Sequence, residues 1–321
     1  MKVLTSSVFS TLLTIAVLYG VIKILNVAGV IGHFHMMTVM LIAINIMLAV
    51  SLNLVTGFTG QFSLGHAGFM AIGAYTCAII TIRMPTMGGF ILGIAAAAVF
   101  ATLVGISIGV PTLRLKGDYL AIATLGMAEI IRIIIVNMQI TNGAAGLFGI
   151  PRFVNWEIMC FFMVATIICI SNFLKSSHGR ACISIREDEI AAESMGINIT
   201  KYKIMAFAIG AFFAGIAGAM YSSHFHFIYP GLFGFIQSID ILVIVVLGGM
   251  GSITGSVIAA VILAVANAYL MAIPELRMII YSVMLVGIMI FRPQGIMGSK
   301  EVTLDKLIKK IGPGKAGMRI Q

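Results

Sequence analysis

Ten apolar runs, none charged enough to stop insertion, punctuate the chain at about 4 to 22, 36 to 55, 62 to 82, 87 to 110, 118 to 140, 156 to 174, 203 to 223, 232 to 249, 254 to 272 and 276 to 291. A bilayer crossing takes roughly 20 apolar residues, so most of the 321 positions are consumed by crossings. Short loops and a tail fit in the remainder; a fused ATPase, kinase or receptor ectodomain does not. The composition agrees, with 60% hydrophobic and 10% charged residues, against about 50% and 25% in an ordinary soluble domain. The expected fold class is therefore an all-α polytopic membrane protein of about ten transmembrane helices, with inverted repeats and a broken third helix left open. Residues 1–298 would be the transmembrane domain and 299–321 a basic tail.

Basic residues orient the chain. With a cytoplasmic N-terminus and ten spans, fifteen lysines and arginines fall inside, among them Arg114, Lys116, Lys175, Arg180, Arg186, Lys201, Lys203 and Arg292, and only Lys23, Arg83, Arg152 and Arg277 fall outside. Reading 232 to 272 as one long span would put the basic tail outside. The positive-inside rule thus favours a turn at Gly248, Gly249, Gly251 and Gly255, with both termini cytoplasmic. Loops facing anionic lipid and cytoplasmic partners account for the net charge of +9, without nucleic acid. A leader peptide is the alternative for the first run, but no A-x-A-like site follows it, and Lys23 and the next run fit an uncleaved span. The tail, with Leu304, Leu307, Ile308 and Ile311 beside Lys306, Lys309 and Lys310, reads as a solvated basic end or a short surface helix. The four cysteines lack CxxC spacing, which indicates neither a disulfide nor a cysteine-based metal site.

The segment at 175–203 is too charged to insert. Ser184 followed by Glu187 makes an S-x-x-E capping box, Glu187, Asp188 and Glu189 suit a helix N-terminus, and Gly196 suits a C-terminal stop. The pattern predicts a cytoplasmic helix at about 185–195. It reads either as a connector or as a docking helix whose apolar patch (Ile190, Ala191, Ala192, Met195) sits in a partner's groove.

Polar residues inside the spans are the other candidates. Gly57, Gly60, Gly65 and Gly68 surround Gln61, Ser63 and His66, and four glycines in twelve positions disfavour regular helix at roughly 1 kcal/mol each. Irregular backbone at membrane depth needs a protein or water-filled surround, so these three residues are candidates for a translocation path. Tight packing by Ala67, Ala71, Ala74 and Ala78 is the structural alternative. Glu129 and Arg132 lie three apart on one helix face and form either a structural pair or a gate, while Asp240 should find a partner on another helix or sit hydrated near the outer end. His33 with His35 and His224 with His226 read as interfacial histidines, with zinc binding as the alternative. Gly210, Ala214 and Gly218, and likewise Gly251, Gly255 and Ala259, form small-residue ridges for close helix approach.

The stretch GRACISIREDEIAAESMGINITKYKIMAFAIGAFFAGIAGAMY resembles the cytoplasmic coupling loop and following span of permeases from branched-chain amino-acid ABC importers. GFTGQFSLGHAGFMAIGAY, LRLKGDYLAIATLGMAEIIR, GGMGSITGSVIAAVIL and FRPQGIMG agree, in order, over roughly 36 to 298. REDEIAAESMGIN and FRPQGIMG make the likeness one to the LivM-type subunit; the sister LivH-type subunit shares the early glycine-rich motif. The resemblance implies an inner-membrane permease that pairs with a LivH-type subunit as a heterodimer, rests on two cytoplasmic ATPases and takes substrate from a periplasmic binding protein. It also implies coupling roles for Arg186, Glu187, Asp188, Glu189, Ala192 and Gly196.

No GxxxxGK[ST] occurs in the chain, so ATP and Mg would be used by the partner subunits and this chain would be no enzyme. Substrates carried by relatives include urea, short amides and other amino acids beside leucine, isoleucine and valine. Two other classes remain: an ion-coupled secondary transporter using Glu129 or Asp240, and an intramembrane hydrolase using Ser63 and His66.

Overall fold

The computed structural model describes residues 32–270, 283, 286, 287 and 295–298. The first span, almost all of the tenth, and the tail from 299 lie outside the described residues. Residues 37–299 form one compact unit.

Helices occupy eight of the expected apolar runs: α1 (His33–Asn53), α2 (His66–Arg83), α3 (Met87–Thr112), α4 (Asp118–Asn137), α5 (Trp156–Lys175), α8 (Ile199–Phe225), α9 (Phe235–Gly248) and α10 (Ile253–Leu270). Two short helices, α6 (Ser177–Glu187) and α7 (Glu189–Ser194), fill the polar loop between α5 and α8. Five helical segments are long and apolar enough to cross a membrane: His35–Phe58, Met87–Thr112, Asp118–Asn137, Trp156–Lys175 and Ile199–Phe225. The architecture is an all-α polytopic bundle. Its one sheet among the described residues is a two-residue ribbon, β1 (Leu147–Phe148) antiparallel to β2 (Phe227–Ile228).

Small residues build the core. A Cβ placed on Gly73 of α2 would lie 2.0 Å from the Gly215 carbonyl oxygen of α8, and one on Gly218 would lie 2.0 Å from the Met70 carbonyl oxygen. Gly215 in turn faces Ala97 and Ala101 of α3. Backbone thus lies against backbone across α2, α3 and α8, where dispersion and close approach, not hydrophobicity, drive association in lipid. The ridge Ala67, Ala71, Ala74 and Ala78 is buried here, as is Gly210, Ala214 and Gly218. The glycines after α9 make a turn, with Gly249 and Gly251 at φ of 111° and 88°. Gly248 and Gly255 then touch backbone to backbone, folding α9 and α10 into a hairpin.

One expectation is corrected. The helix in the polar loop does not run over 185–195. It begins at Ser177, capped by Ser176, whose hydroxyl accepts the Gly179 N–H, and it breaks at Asp188. Ser184 is no cap: it sits inside α6 and donates to the Ala181 carbonyl. Asp188 takes that role because its carboxylate accepts the N–H groups of both Ile190 and Ala191, which stabilises a fresh helix start more than continuation would. The start of the third span is irregular at 59–65, among the glycines that disfavour helix there, and α2 runs unbroken from His66.

Candidate functional site

Four of the sequence's distinctive stretches converge at one end of the bundle. After Asn53, α1 widens into a π-helical turn, Leu54–Phe58, which turns the Gly57 carbonyl outward from the helix ladder. Arg186, at the end of α6, donates from Nη1 to that carbonyl at 2.9 Å. Its guanidinium also pairs with Glu187. A Cβ on Gly60 would lie 3.2 Å from Arg186 Cγ, and one on Gly251 would lie 2.7 Å from Arg186 Nη1. Glycines on two separate loops therefore make the slot that holds this one side chain.

Asn53 fastens the same slot from inside. Its Nδ2 donates to the Ser252 carbonyl and to Ser256 Oγ, both at 2.8 Å, while its Oδ1 accepts the Gly251 N–H at 2.9 Å. Gly57 must be glycine here, because a Cβ would lie 1.8 Å from Asn53 Oδ1. The GIMG stretch closes the far side: Ile296 N–H donates to the Leu247 carbonyl at 2.9 Å and Met297 N–H to that of Gly248 at 3.3 Å.

The short helix α7 is held by charge. Glu189 pairs with Lys203 at the start of α8 and, at 3.2 Å, with Lys116 in the loop between α3 and α4. Partial burial of the Glu189 carboxyl works to raise its pKa, but the hydrogen bonds and charges of Lys203 and Lys116 outweigh that and hold it below the usual carboxylate value. Gly196, at φ 82°, ends α7 in a Schellman motif: Ile197 N–H reaches the Ala192 carbonyl and Gly196 N–H that of Glu193. Nearby, burial pushes the Cys182 thiol up to about 11, against a smaller opposing hydrogen bond from Thr59.

The six residues assigned to coupling by resemblance divide by what they touch. Glu187 and Asp188 are exposed; Arg186 and Glu189 are turned to the body of the protein; Gly196 sets the helix end. Ala192 is buried at 4%, so it leaves the expected docking patch, while Ile190 and Met195 stand 76% and 83% exposed. The inward face of so short a helix is used to seat it, and only its outward face remains for a partner.

Gln61, Ser63 and His66 are all buried, on the same side as this slot. Gln61 Nε2 donates to the Lys203 carbonyl at 3.3 Å, and its Oε1 has no hydrogen-bond partner among the described residues. Ser63 Oγ accepts the Gly65 N–H, and His66 Nε2 lies 2.7 Å from Ser51 Oγ of α1. Since that hydroxyl donates to the Leu48 carbonyl, the bond fits a His66 that carries its proton on Nε2. Ser63 and His66 therefore have different partners, and no nucleophile–base pair forms. Glu129 and Arg132 do pair, with Arg132 Nε 2.7 Å from Glu129 Oε2, but they close on one helix instead of joining two. Asp240 is half-buried in α9. His226 donates from Nδ1 to the Ile150 carbonyl at 2.8 Å, so a structural loop contact occupies that ring nitrogen.

Sequence reasoning missed Asn53, Lys116 and Lys203. An asparagine inside an apolar run, which also holds Asn45, was the one available signal for Asn53; nothing local pairs either lysine with Glu189.

Comparison with known proteins places these features. The profile described as "Branched-chain amino acid transport system / permease component" matches residues 34–289. The high-affinity branched-chain amino acid transport system permease protein LivM of Salmonella typhimurium is 36% identical over 307 residues, 85% of this chain and 71% of the relative. LivM of Escherichia coli shows the same identity and coverage. Escherichia coli LivH, of the same transport system, is 27% identical over 287 residues, 80% of this chain and 92% of the relative. No solved structure matches the chain.

Proposed function

Because the chain belongs to the branched-chain amino-acid transport permease family, we propose that it is one half of the membrane channel of an ATP-driven importer for leucine, isoleucine and valine. It is a multi-pass inner-membrane transport subunit and not an enzyme. A related, LivH-type permease is its partner in the membrane. Two cytoplasmic ATPases and an external binding protein complete the assembly, ten spans carry the chain across, and both termini face the cytoplasm.

The observation that carries this reading is the glycine slot around Arg186. It joins the loop after α1, the loop between α9 and α10 and the exposed helix pair at one end of the bundle. That end also holds Lys116, Lys201 and Lys203, in keeping with a cytoplasmic orientation. A motor pressing on α7 would move several spans at once. Substrate would then cross between the two permeases as nucleotide binding and hydrolysis switch the open side.

The test is uptake by proteoliposomes containing both permeases, the ATPases and the binding protein. Leucine accumulation that requires ATP inside and stops without the ATPases is expected. Uptake driven by an ion gradient in their absence would instead establish a secondary transporter. Accumulation of urea or an amide in place of leucine would replace the substrate and leave the subunit's role intact.

A further inference from the structure

Outside the slot, the described spans carry a second group of polar side chains, where α4 meets α9. Glu129 and Arg132 on α4, and Gln237 and Asp240 on α9, are all half-buried, so each reaches the surface of the isolated subunit. The side chains of Arg132 and Glu129 are 34% and 32% exposed. Gly234, just ahead of α9, brings the helices together: a Cβ there would lie 3.9 Å from Arg132 Cδ and 4.0 Å from Glu129 Oε1.

Depth decides what this strip can face. Arg132 lies five residues from Asn137 and Asp240 five from Phe235, at the outer ends of their helices in the orientation proposed above. At 1.5 Å per residue that is about 7–8 Å, inside the hydrocarbon. Charge exposed to lipid at that depth is unfavourable, so lipid does not cover the strip. The flanking surface of α4 is open as well: a Cβ on Gly126 would meet nothing within 4 Å, and Ile133 is 51% exposed.

We propose that the α4–α9 strip is a water-accessible binding site for zwitterionic α-amino acids on the outer half of the translocation path. In it Arg132 receives the carboxylate, Glu129 the ammonium group, and the Gly126–Ile133 surface the apolar side chain. A guanidinium and a carboxylate held side by side present both charges a free amino acid needs, and an aliphatic surface beside them suits an aliphatic side chain. This rests on the permease reading above.

The reconstituted transporter tests it, with the four native cysteines replaced by serine. Ile133→Cys should react with a membrane-impermeant cationic thiosulfonate at least about tenfold faster than Val99→Cys or Leu103→Cys on α3, whose parent residues are equally exposed at 53% and 54%. Leucine should slow that reaction. Arg132→Gln should lower uptake about tenfold or more. The exchange Glu129→Arg with Arg132→Glu, which keeps an ion pair, should restore assembly but not uptake. Labelling of Ile133→Cys no faster than the α3 controls, or full uptake by the exchanged pair, would overturn the site. Active parent transporter in those same vesicles would show that the permease reading stands regardless.

Discussion

Arg186 donates to the carbonyl of Gly57, a residue 129 positions earlier in the chain. The bond fastens the end of α6 to the widened last turn of α1, so a displacement of the outer helix pair reaches a span directly. Removing it should separate binding of a motor from transport. Arg186→Ala is expected to leave assembly and basal ATP hydrolysis in place while lowering transport-linked stimulation about tenfold, within the usual range of coupling energies. Arg186→Lys should not rescue, because an ammonium cannot serve Gly57 and Glu187 through one planar fork. ATPase assays with and without loaded binding protein would check both.

Asn53 is the residue whose loss should cost most stability among the polar groups of the slot. Asn53→Ala leaves the buried Gly251 N–H without its acceptor and takes one donor from the Ser252 carbonyl, which keeps the Ser256 N–H and hydroxyl, and should destabilise by about 2 kcal/mol. Asn53→Asp should be worse, since a carboxylate would face the Ser252 carbonyl. Thermal unfolding in detergent measures this.

Gly73 and Gly126 should behave oppositely. Gly73→Ala forces a methyl to within 2.0 Å of the Gly215 carbonyl and should abolish accumulation of folded protein. Gly126→Ala meets nothing within 4 Å and should be neutral or slightly stabilising, by up to about 1 kcal/mol of helix propensity. Yields of monodisperse protein on size-exclusion chromatography would separate the two.

Glu189 predicts a pH dependence. Its pKa in the folded protein is lowered, so its contribution is complete above the ordinary carboxylate value and is lost as pH falls through the lowered one. Glu189→Gln should therefore destabilise at pH 7, by about 1 kcal/mol given solvent screening. The difference from the parent protein should close as pH drops below about 4. Melting curves over pH 3–8 provide the comparison.

Legibility in the sequence followed the range of the interactions. The Glu129–Arg132 pair could be read because three positions on a helix are neighbours, and the turn at Gly249 and Gly251 because glycine clusters interrupt an apolar run whose ends charge had oriented. The α6–α7 break was not legible. Ser176, Ser184 and Asp188 are all competent caps, and which of them acts depends on where the chain is tied down. Nor could Asn53 be matched to Gly251, 198 positions away. Only the fold brings that amide and that loop together.

The single extended residue between α6 and α7, Asp188 at φ −158° and ψ 114°, gives this end of the molecule its mechanics. On one side α6 is bolted down by Arg186; on the other a six-residue rod hangs between two swivels, Asp188 and Gly196, restrained by Lys116 and Lys203. In the importer proposed above, force on such a rod would become torque, twisting the α3–α4 loop and the foot of α8 relative to each other.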